Sequence, residues 1–146
     1  LGDGAEFNNL KKLVKELHLE DKVFLPGYIK KEDLEKYLLD SSIFLMASLT
    51  EGLPMVLLEA MSYGIPCIAY ETASGVNDII ESNYNGYVIK DRNEEEYVKC
   101  LDKLTSDDKL RKEMGINAVK TSEKFTEKEI IKKWNKVLRS DNSEKK

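Results

Sequence analysis

The sequence has few of the residues that build metal and disulfide sites. Its 146 residues include two cysteines, one histidine, one tryptophan and three prolines. Cys67 lies within an apolar run and Cys100 lies on a helical pattern far away, so we expect two buried free thiols. No Cys-x-x-Cys pair occurs and His18 is the lone histidine, which excludes a zinc site built from cysteine and histidine. We interpret His18 as a residue at the C-terminal end of a helix, not as a catalytic base.

Long apolar runs and clustered positive charge are also lacking. No run approaches the roughly 20 residues that a membrane-spanning helix needs, and no charged-then-apolar leader opens the sequence. Residues 1–89 contain 7 lysines and arginines against 14 acidic residues, and residues 90–146 contain 16 against 13. Nucleic acid is therefore not an expected partner, because affinity for phosphate backbones requires clustered Lys and Arg. We expect a cytoplasmic protein.

Short apolar runs alternate with helical patterns along most of the chain. Strands that are apolar on both faces predict a parallel sheet covered by helices on both sides, which is a doubly wound, Rossmann-like α/β fold with additional C-terminal helices. Strands are expected at residues 22–27, 43–46, 65–70 and 87–89, and helices from Phe7 to Leu17, at 32–39, 54–63 and 76–81, and three more from Glu94 onwards.

The domain boundaries follow from the same patterns. Residues 1–138 are expected to form one domain, and residues 139–146, which contain no apolar side chain, a disordered tail. Trp134 lies at helical spacing among apolar residues and is expected in the core. The sequence begins with a leucine and opens on a glycine turn with no strand before it, so we expect it to be a piece of a longer protein whose first strand or strands lie upstream.

The most informative stretch is Glu-Gly-Leu-Pro-Met-Val-Leu-Leu-Glu, residues 51–59, between an apolar strand and a helix. In doubly wound folds, ligands bind at the carboxyl ends of the strands, where the turns at Gly4 and Tyr28 are also expected. The first backbone amides of a helix have no intrahelical acceptor and can bind an anion. Here those amides, with the ones just before the helix, belong to Gly52, Leu53, Met55 and Val56.

Two carboxylates, Glu51 and Glu59, lie on either side of these anion-binding amides. A carboxylate only accepts hydrogen bonds, so the pair favours a ligand with hydroxyl groups on both flanks of a phosphate, such as a nucleotide sugar. Two alternatives stay open from the spacing alone. Glu51 can be a solvated loop residue and Glu59 an ordinary polar helix position. The pair can also be the acid and base of a glycoside hydrolase, which requires carboxyl groups about 5 to 10 Å apart across a glycosidic bond.

The stretch resembles the E-x7-E region of retaining glycosyltransferases of the GT-B fold, the group sometimes called glycosyltransferase family 4. Further segments match this group in order and spacing, and the resemblance covers roughly residues 1 to 125. These segments are Leu-Gly-Asp-Gly at residues 1–4, Val-Phe-Leu-Pro-Gly at 23–27, Asp-Ser-Ser-Ile-Phe-Leu at 40–45 and Asn-Gly-Tyr-Val-Ile at 85–89.

The resemblance implies the C-terminal, donor-binding half of a two-domain enzyme. It implies that Glu51 is the catalytic-site residue that binds the transferred sugar, and that Glu59 holds the ribose hydroxyls. Gly4 would line the diphosphate and Tyr28 would lie near the base. The implied donor-binding set is Gly4, Tyr28, Gly52, Leu53, Met55, Val56 and Glu59.

The resemblance also implies what the whole enzyme does. It would transfer a hexose-type sugar from a UDP-sugar or GDP-sugar with retention of configuration, without a metal or other cofactor, in surface polysaccharide or glycoconjugate biosynthesis. A sugar or lipid-linked acceptor would bind the first domain, which this chain does not contain, so we expect the fragment alone to be inactive. Peripheral association of the full-length enzyme with the inner face of the membrane would fit such an acceptor. The alternative is a non-catalytic nucleotide-binding α/β module.

Overall fold

The computed structural model describes residues 2–140. The chain divides into two compact units, residues 1–40 and residues 41–146. The first contains the helices α1 (Phe7–Glu16) and α2 (Lys31–Leu39). The second contains β1 (Phe44–Met46), α3 (Met55–Ser62), β2 (Cys67–Tyr70), α4 (Val76–Ile79), β3 (Gly86–Ile89), a short 3-10 helix (Lys90–Arg92), α5 (Glu94–Ser106), α6 (Asp108–Glu123) and α7 (Glu127–Ser140).

In the first unit, a glycine turn leads into α1. The amide of Phe7 donates to the carbonyl oxygen of Gly4 at 2.9 Å, which starts the helix. The amide of Gly2 donates to the carbonyl oxygen of Gly27 at 2.8 Å, so the turns before α1 and before α2 lie side by side. His18 lies just beyond the end of α1 with a φ of 53°, which agrees with its interpretation as a helix-terminal residue.

The strand expected at residues 22–27 is wrong. The segment forms no strand pairing with any part of the chain that the structure describes. Val23 is 38% exposed and Phe24 is 79% exposed. An apolar run becomes a strand only where a neighbouring strand accepts and donates the ladder hydrogen bonds. Here the amides of Lys22 and Val23 donate to the carbonyl oxygen of Leu19 instead, and the carbonyl oxygen of Gly27 accepts from the amide of Gly2.

The second unit is built on a parallel sheet of three described strands in the order β1-β2-β3. Phe44 pairs with Cys67, and Cys67 pairs with Gly86 on its other side. The α/β class with a parallel sheet is therefore confirmed, and the strands expected at residues 43–46, 65–70 and 87–89 are present. These strands follow each other in sequence order, so the reversal of order at a topological switch point is not found among them.

Helices cover both faces of the central strand β2, whose four residues are all buried. On one face, Ile68 packs in a cluster with Cys100 and Leu104 of α5. On the other, the Sγ atom of Cys67 lies 3.9 Å from the carbonyl oxygen of Leu57 on α3. Both cysteines are free and buried, as expected, and burial raises the pKa of the Cys67 thiol to about 12.

The three C-terminal helices are present, and the Asp107 carboxylate caps α6 by accepting from the amide of Leu110 at 2.9 Å. The prediction that Trp134 lies in the core is wrong, because its side chain on α7 is 62% exposed. Helix α7 includes Arg139 and Ser140 of the predicted tail, and residues 141–146 lie outside the described residues. None of the described helices is both long and apolar enough to span a bilayer.

Candidate functional site

Two loops and the short 3-10 helix follow the carboxyl ends of the strands in the second unit. The loops are residues 47–54 after β1 and residues 71–75 after β2, and the 3-10 helix, residues 90–92, follows β3. Because the strands are parallel and neighbouring, these segments lie along one edge of the sheet, which is where α/β folds bind their ligands. The stretch of residues 51–59 runs from the first of these loops into α3.

The start of α3 presents backbone amides that the described part of the protein does not use. Pro54 precedes the first helical residue, and its carbonyl oxygen accepts from the amide of Leu57 at 3.0 Å. Within residues 2–140, no hydrogen bond is found for the preceding amides of the stretch, which belong to Gly52, Leu53, Met55 and Val56. Their N–H groups lie at the positive end of the helix dipole, so together they can bind an anion such as a phosphate.

Two carboxylates accompany these amides. Glu51 lies in the loop before α3 and Glu59 lies within the helix, and both side chains are half-buried. Neither carboxylate has an ion pair or a side-chain hydrogen bond among the residues that the structure describes. A half-buried carboxylate without a protein partner has unused acceptor capacity, which a ligand hydroxyl can fill.

The loop after β2 packs directly on the loop that carries Glu51. The Ser74 hydroxyl lies 3.1 Å from the carbonyl oxygen of Glu51 and 3.5 Å from that of Gly52. Gly75 lies so close that an added Cβ atom would overlap the carbonyl oxygen of Gly52. This contact could not be predicted from the sequence, because a contact across 23 residues has no signature in local spacing.

The 3-10 helix after β3 contacts the first residues of the same loop, just after β1. The Arg92 guanidinium donates to the carbonyl oxygens of Ser48 at 3.1 Å and Ala47 at 3.2 Å, and lies 4.3 Å from the ring centroid of Tyr70. Arg92 and Asp91 both have positive φ, 52° and 50°, a strained conformation for residues other than glycine. The sequence analysis missed Arg92, since nothing in its local pattern separates it from other surface cations.

The remaining predicted site residues, Gly4 and Tyr28, belong to the first unit. The hydrogen bond from Gly2 to Gly27 brings their two turns together. Gly4 has no atom within 4 Å of an added Cβ position, and Tyr28 is 73% exposed. Both are thus open to a ligand, and their membership of one site with Glu51 stays a prediction.

A parallel sheet covered on both faces, with a helix beginning at its carboxyl edge, defines a Rossmann-like α/β protein. Comparison with known proteins gives the family. The model of the glycosyl transferases group 1 family matches residues 1–121. The chain belongs to this family, whose solved members among the structural neighbours have the GT-B fold.

Individual relatives agree with the family match. The amylovoran biosynthesis glycosyltransferase AmsD of Erwinia amylovora is 35% identical over 138 residues, which are 94% of this chain and 38% of AmsD. The apo structure of the lipopolysaccharide outer core galactosyltransferase WaaB is 30% identical with a TM-score of 0.83, over 96% of this chain and 39% of WaaB.

A third relative was solved with ligands. A point mutant of Staphylococcus aureus TarM, in complex with fondaparinux, alpha-GlcNAc-glycerol and UDP, is 31% identical with a TM-score of 0.83, over 92% of this chain and 27% of that chain. The chain thus spans well under half the length of each of these relatives. The finer assignments to glycosyltransferase family 4 and to an E-x7-E motif stay predictions.

Proposed function

We propose that the chain is the donor-binding part of a glycosyltransferase that transfers a hexose-type sugar from a UDP-sugar or GDP-sugar with retention of configuration. The observation that carries the proposal is the start of α3. There, backbone amides and two half-buried carboxylates, none with a partner among residues 2–140, lie at the carboxyl edge of the sheet. The family membership supports a sugar nucleotide as the ligand of this arrangement.

The diphosphate would bind the amides of Gly52, Leu53, Met55 and Val56. A phosphate site built from backbone amides needs no lysine or arginine, which fits the acidic composition of residues 1–89. Hydrogen bonds from several N–H groups to one anion are charge-assisted, and each is about twice as strong as a bond between neutral groups. The amides therefore give affinity for a phosphate without determining which base or sugar is attached.

The two carboxylates would give the ligand its orientation. Glu51 would accept hydrogen bonds from the transferred sugar near the reacting carbon, and Glu59 would accept from the ribose hydroxyls. Gly4 would line the diphosphate and Tyr28 would lie near the base. Glu51 acts in this proposal by position and charge, since a carboxylate near an anomeric carbon stabilises the positive charge that develops there.

The other features of the whole enzyme are proposed from its relatives. WaaB is a lipopolysaccharide outer core galactosyltransferase, and the TarM mutant was solved with UDP and alpha-GlcNAc-glycerol. Both support a nucleotide-sugar donor and a role in surface polysaccharide or glycoconjugate assembly. We propose that no metal cofactor takes part and that the sugar or lipid-linked acceptor binds outside residues 1–146. Transfer then requires the full-length enzyme, which would work in the cytoplasm, at the inner face of the membrane.

Calorimetric titration of the folded chain with UDP, GDP and ADP tests the donor site. We expect one of these nucleotides to bind with a dissociation constant between about 1 µM and 1 mM. The matching nucleoside, for example uridine for UDP, should bind at least about tenfold more weakly, because it places no anion on the α3 amides. If a sample with the circular dichroism of a folded α/β protein binds none of the three nucleotides, the proposal fails.

A further inference from the structure

The loop of residues 71–75, called the β2 loop below, contacts the segment that carries Glu51. Its Ser74 hydroxyl reaches two successive carbonyl oxygens, those of Glu51 at 3.1 Å and Gly52 at 3.5 Å. A hydroxyl has one proton, so it donates to one of these oxygens at a time, and the two oxygens belong to the peptide units on either side of the Gly52 Cα atom. The contact fixes the backbone conformation at Glu51 and at Gly52, whose amide is the first of those without a partner among the described residues.

Gly75 brings the two loops into direct backbone contact. An added Cβ atom at this position would overlap the carbonyl oxygen of Gly52 and would lie 2.9 Å from the Cδ atom of Pro54. Gly75 also has a φ of 84°, which side chains disfavour. The residue is buried, so the close approach is part of the packed structure. Glycine is thus required at residue 75 by both its conformation and its neighbour.

Two hydrogen bonds fix the conformation of the β2 loop itself. The Thr72 side chain is 8% exposed, and its hydroxyl donates to the carbonyl oxygen of Ser74 at 2.7 Å. Directly before it, the amide of Glu71 donates to the carbonyl oxygen of Ile89 at 2.8 Å, which continues the bonding between β2 and β3. Thr72 thus fixes Ser74 next to the end of the sheet, and the Ser74 hydroxyl contacts the backbone of Glu51. These contacts connect the sheet with the candidate site.

We propose that Ser74 and Gly75 are positioning residues, which hold Glu51 and the amides of Gly52 and Leu53 in the geometry that binds the donor. The inference rests on the proposed function for its ligand, and on the loop contacts alone for its mechanics. A group of amides binds an anion well only if the N–H groups already point to one place before the ligand arrives. Ser74 keeps them in this arrangement through the backbone, without contacting the ligand.

Replacement of Ser74 tests the proposal against a matched serine. Ser106 also has its hydroxyl near two successive carbonyl oxygens, those of Asp102 at 2.7 Å and Lys103 at 3.3 Å, but at the end of α5. We expect Ser74→Ala to raise the dissociation constant for UDP, or for the nucleotide that the chain prefers, roughly three- to tenfold. Ser74→Thr, which keeps the hydroxyl, should stay within about twofold of the wild type, and Ser106→Ala should not change binding.

A second measurement needs no ligand. The NMR order parameters of the backbone amides of Gly52, Leu53, Met55 and Val56 should be lower in Ser74→Ala than in the wild type, while those of α5 and α6 stay the same. The melting temperature should change by no more than about 2 °C, because the Ser74 side chain is exposed and its replacement removes one shared hydrogen bond. Gly75→Ala should lower the order parameters of the same amides more strongly and weaken nucleotide binding at least about tenfold.

The outcomes separate this inference from the proposed function. If the wild type binds nucleotide and Ser74→Ala binds it equally well, with unchanged order parameters for the amides of residues 52–56, the positioning role is wrong while the donor site stands. If the wild type binds no nucleotide, the donor site is wrong, and the order parameters alone decide whether Ser74 fixes the loop. Equal weakening by Ser74→Ala and Ser106→Ala would also overturn the inference, since it would show a general loss of stability.

Discussion

Replacing Glu59 with alanine is expected to weaken nucleotide binding roughly 10- to 100-fold. In the proposed geometry, the Glu59 carboxylate accepts hydrogen bonds from the ribose hydroxyls of a nucleotide whose phosphates bind the start of α3. Hydrogen bonds to a charged group contribute about 1.5 to 3 kcal/mol, and about 1.4 kcal/mol corresponds to a tenfold change in affinity. The carboxylate has no other partner among the described residues, so its removal leaves none of their polar groups unsatisfied.

The ribose contact can be isolated from the general effect of removing a charge. The wild type should bind UDP much more tightly than 2′,3′-dideoxy-UDP, and Glu59→Ala should bind the two nucleotides almost equally. Glu113→Ala removes an exposed glutamate from α6 and serves as the matched control, with binding within about twofold of the wild type. If Glu59→Ala still discriminates against the dideoxy nucleotide, the ribose does not bind Glu59.

Replacing Asn85 with alanine is expected to lower the free energy of unfolding by about 3 kcal/mol and the melting temperature by about 10 °C. The Asn85 side chain is 1% exposed and joins α4, α6 and the backbone of Glu81 in the turn before β3. Its Nδ2 group donates to the Ile79 carbonyl oxygen at 3.0 Å and to the Thr121 hydroxyl at 2.9 Å, while its Oδ1 atom accepts from the amide of Glu81 at 2.9 Å. Alanine leaves these groups without partners in a site that water does not reach.

A second asparagine provides the comparison. Asn117 is only partly buried; its Nδ2 group donates to the carbonyl oxygen of Tyr84 at 3.1 Å, and its Oδ1 atom accepts an exposed hydrogen bond from the Lys120 ammonium group at 3.2 Å. Asn117→Ala should therefore cost about 1 kcal/mol by urea unfolding at neutral pH, roughly a third of the cost of Asn85→Ala. Equal losses for the two variants would show that the buried network around Asn85 contributes no more than the partly exposed hydrogen bonds of Asn117.

The part of the site that lies on one local segment could be predicted from the sequence. Helix α3 was expected at residues 54–63 and is found at Met55–Ser62, because Pro54 favours a helix start and Gly64, with a φ of 74°, a helix end. Such signals act within a few residues of each other. They also placed Glu51 before the helix and Glu59 within it, which is the geometry on which the donor-site proposal depends.

Contacts between distant segments could not be predicted in the same way. The hydroxyl of Ser74 and the guanidinium of Arg92 bind backbone carbonyl oxygens 22 to 45 residues away, and a carbonyl oxygen has no sequence signature. Apolar patterns have a related limit, since they identify a face but not what covers it. This is why the helix containing Trp134 was correctly predicted and the burial of its side chain was not.

The most direct test of the donor site is a titration of the isotopically labelled chain with UDP, or with the nucleotide it prefers, followed by amide NMR spectra. The largest shifts are expected at the backbone amides of Gly52, Leu53, Met55 and Val56, because a phosphate that accepts their hydrogen bonds changes the environment of their protons directly. Saturable shifts elsewhere in the chain, with these four amides unmoved, would contradict the proposal that the start of α3 binds the diphosphate.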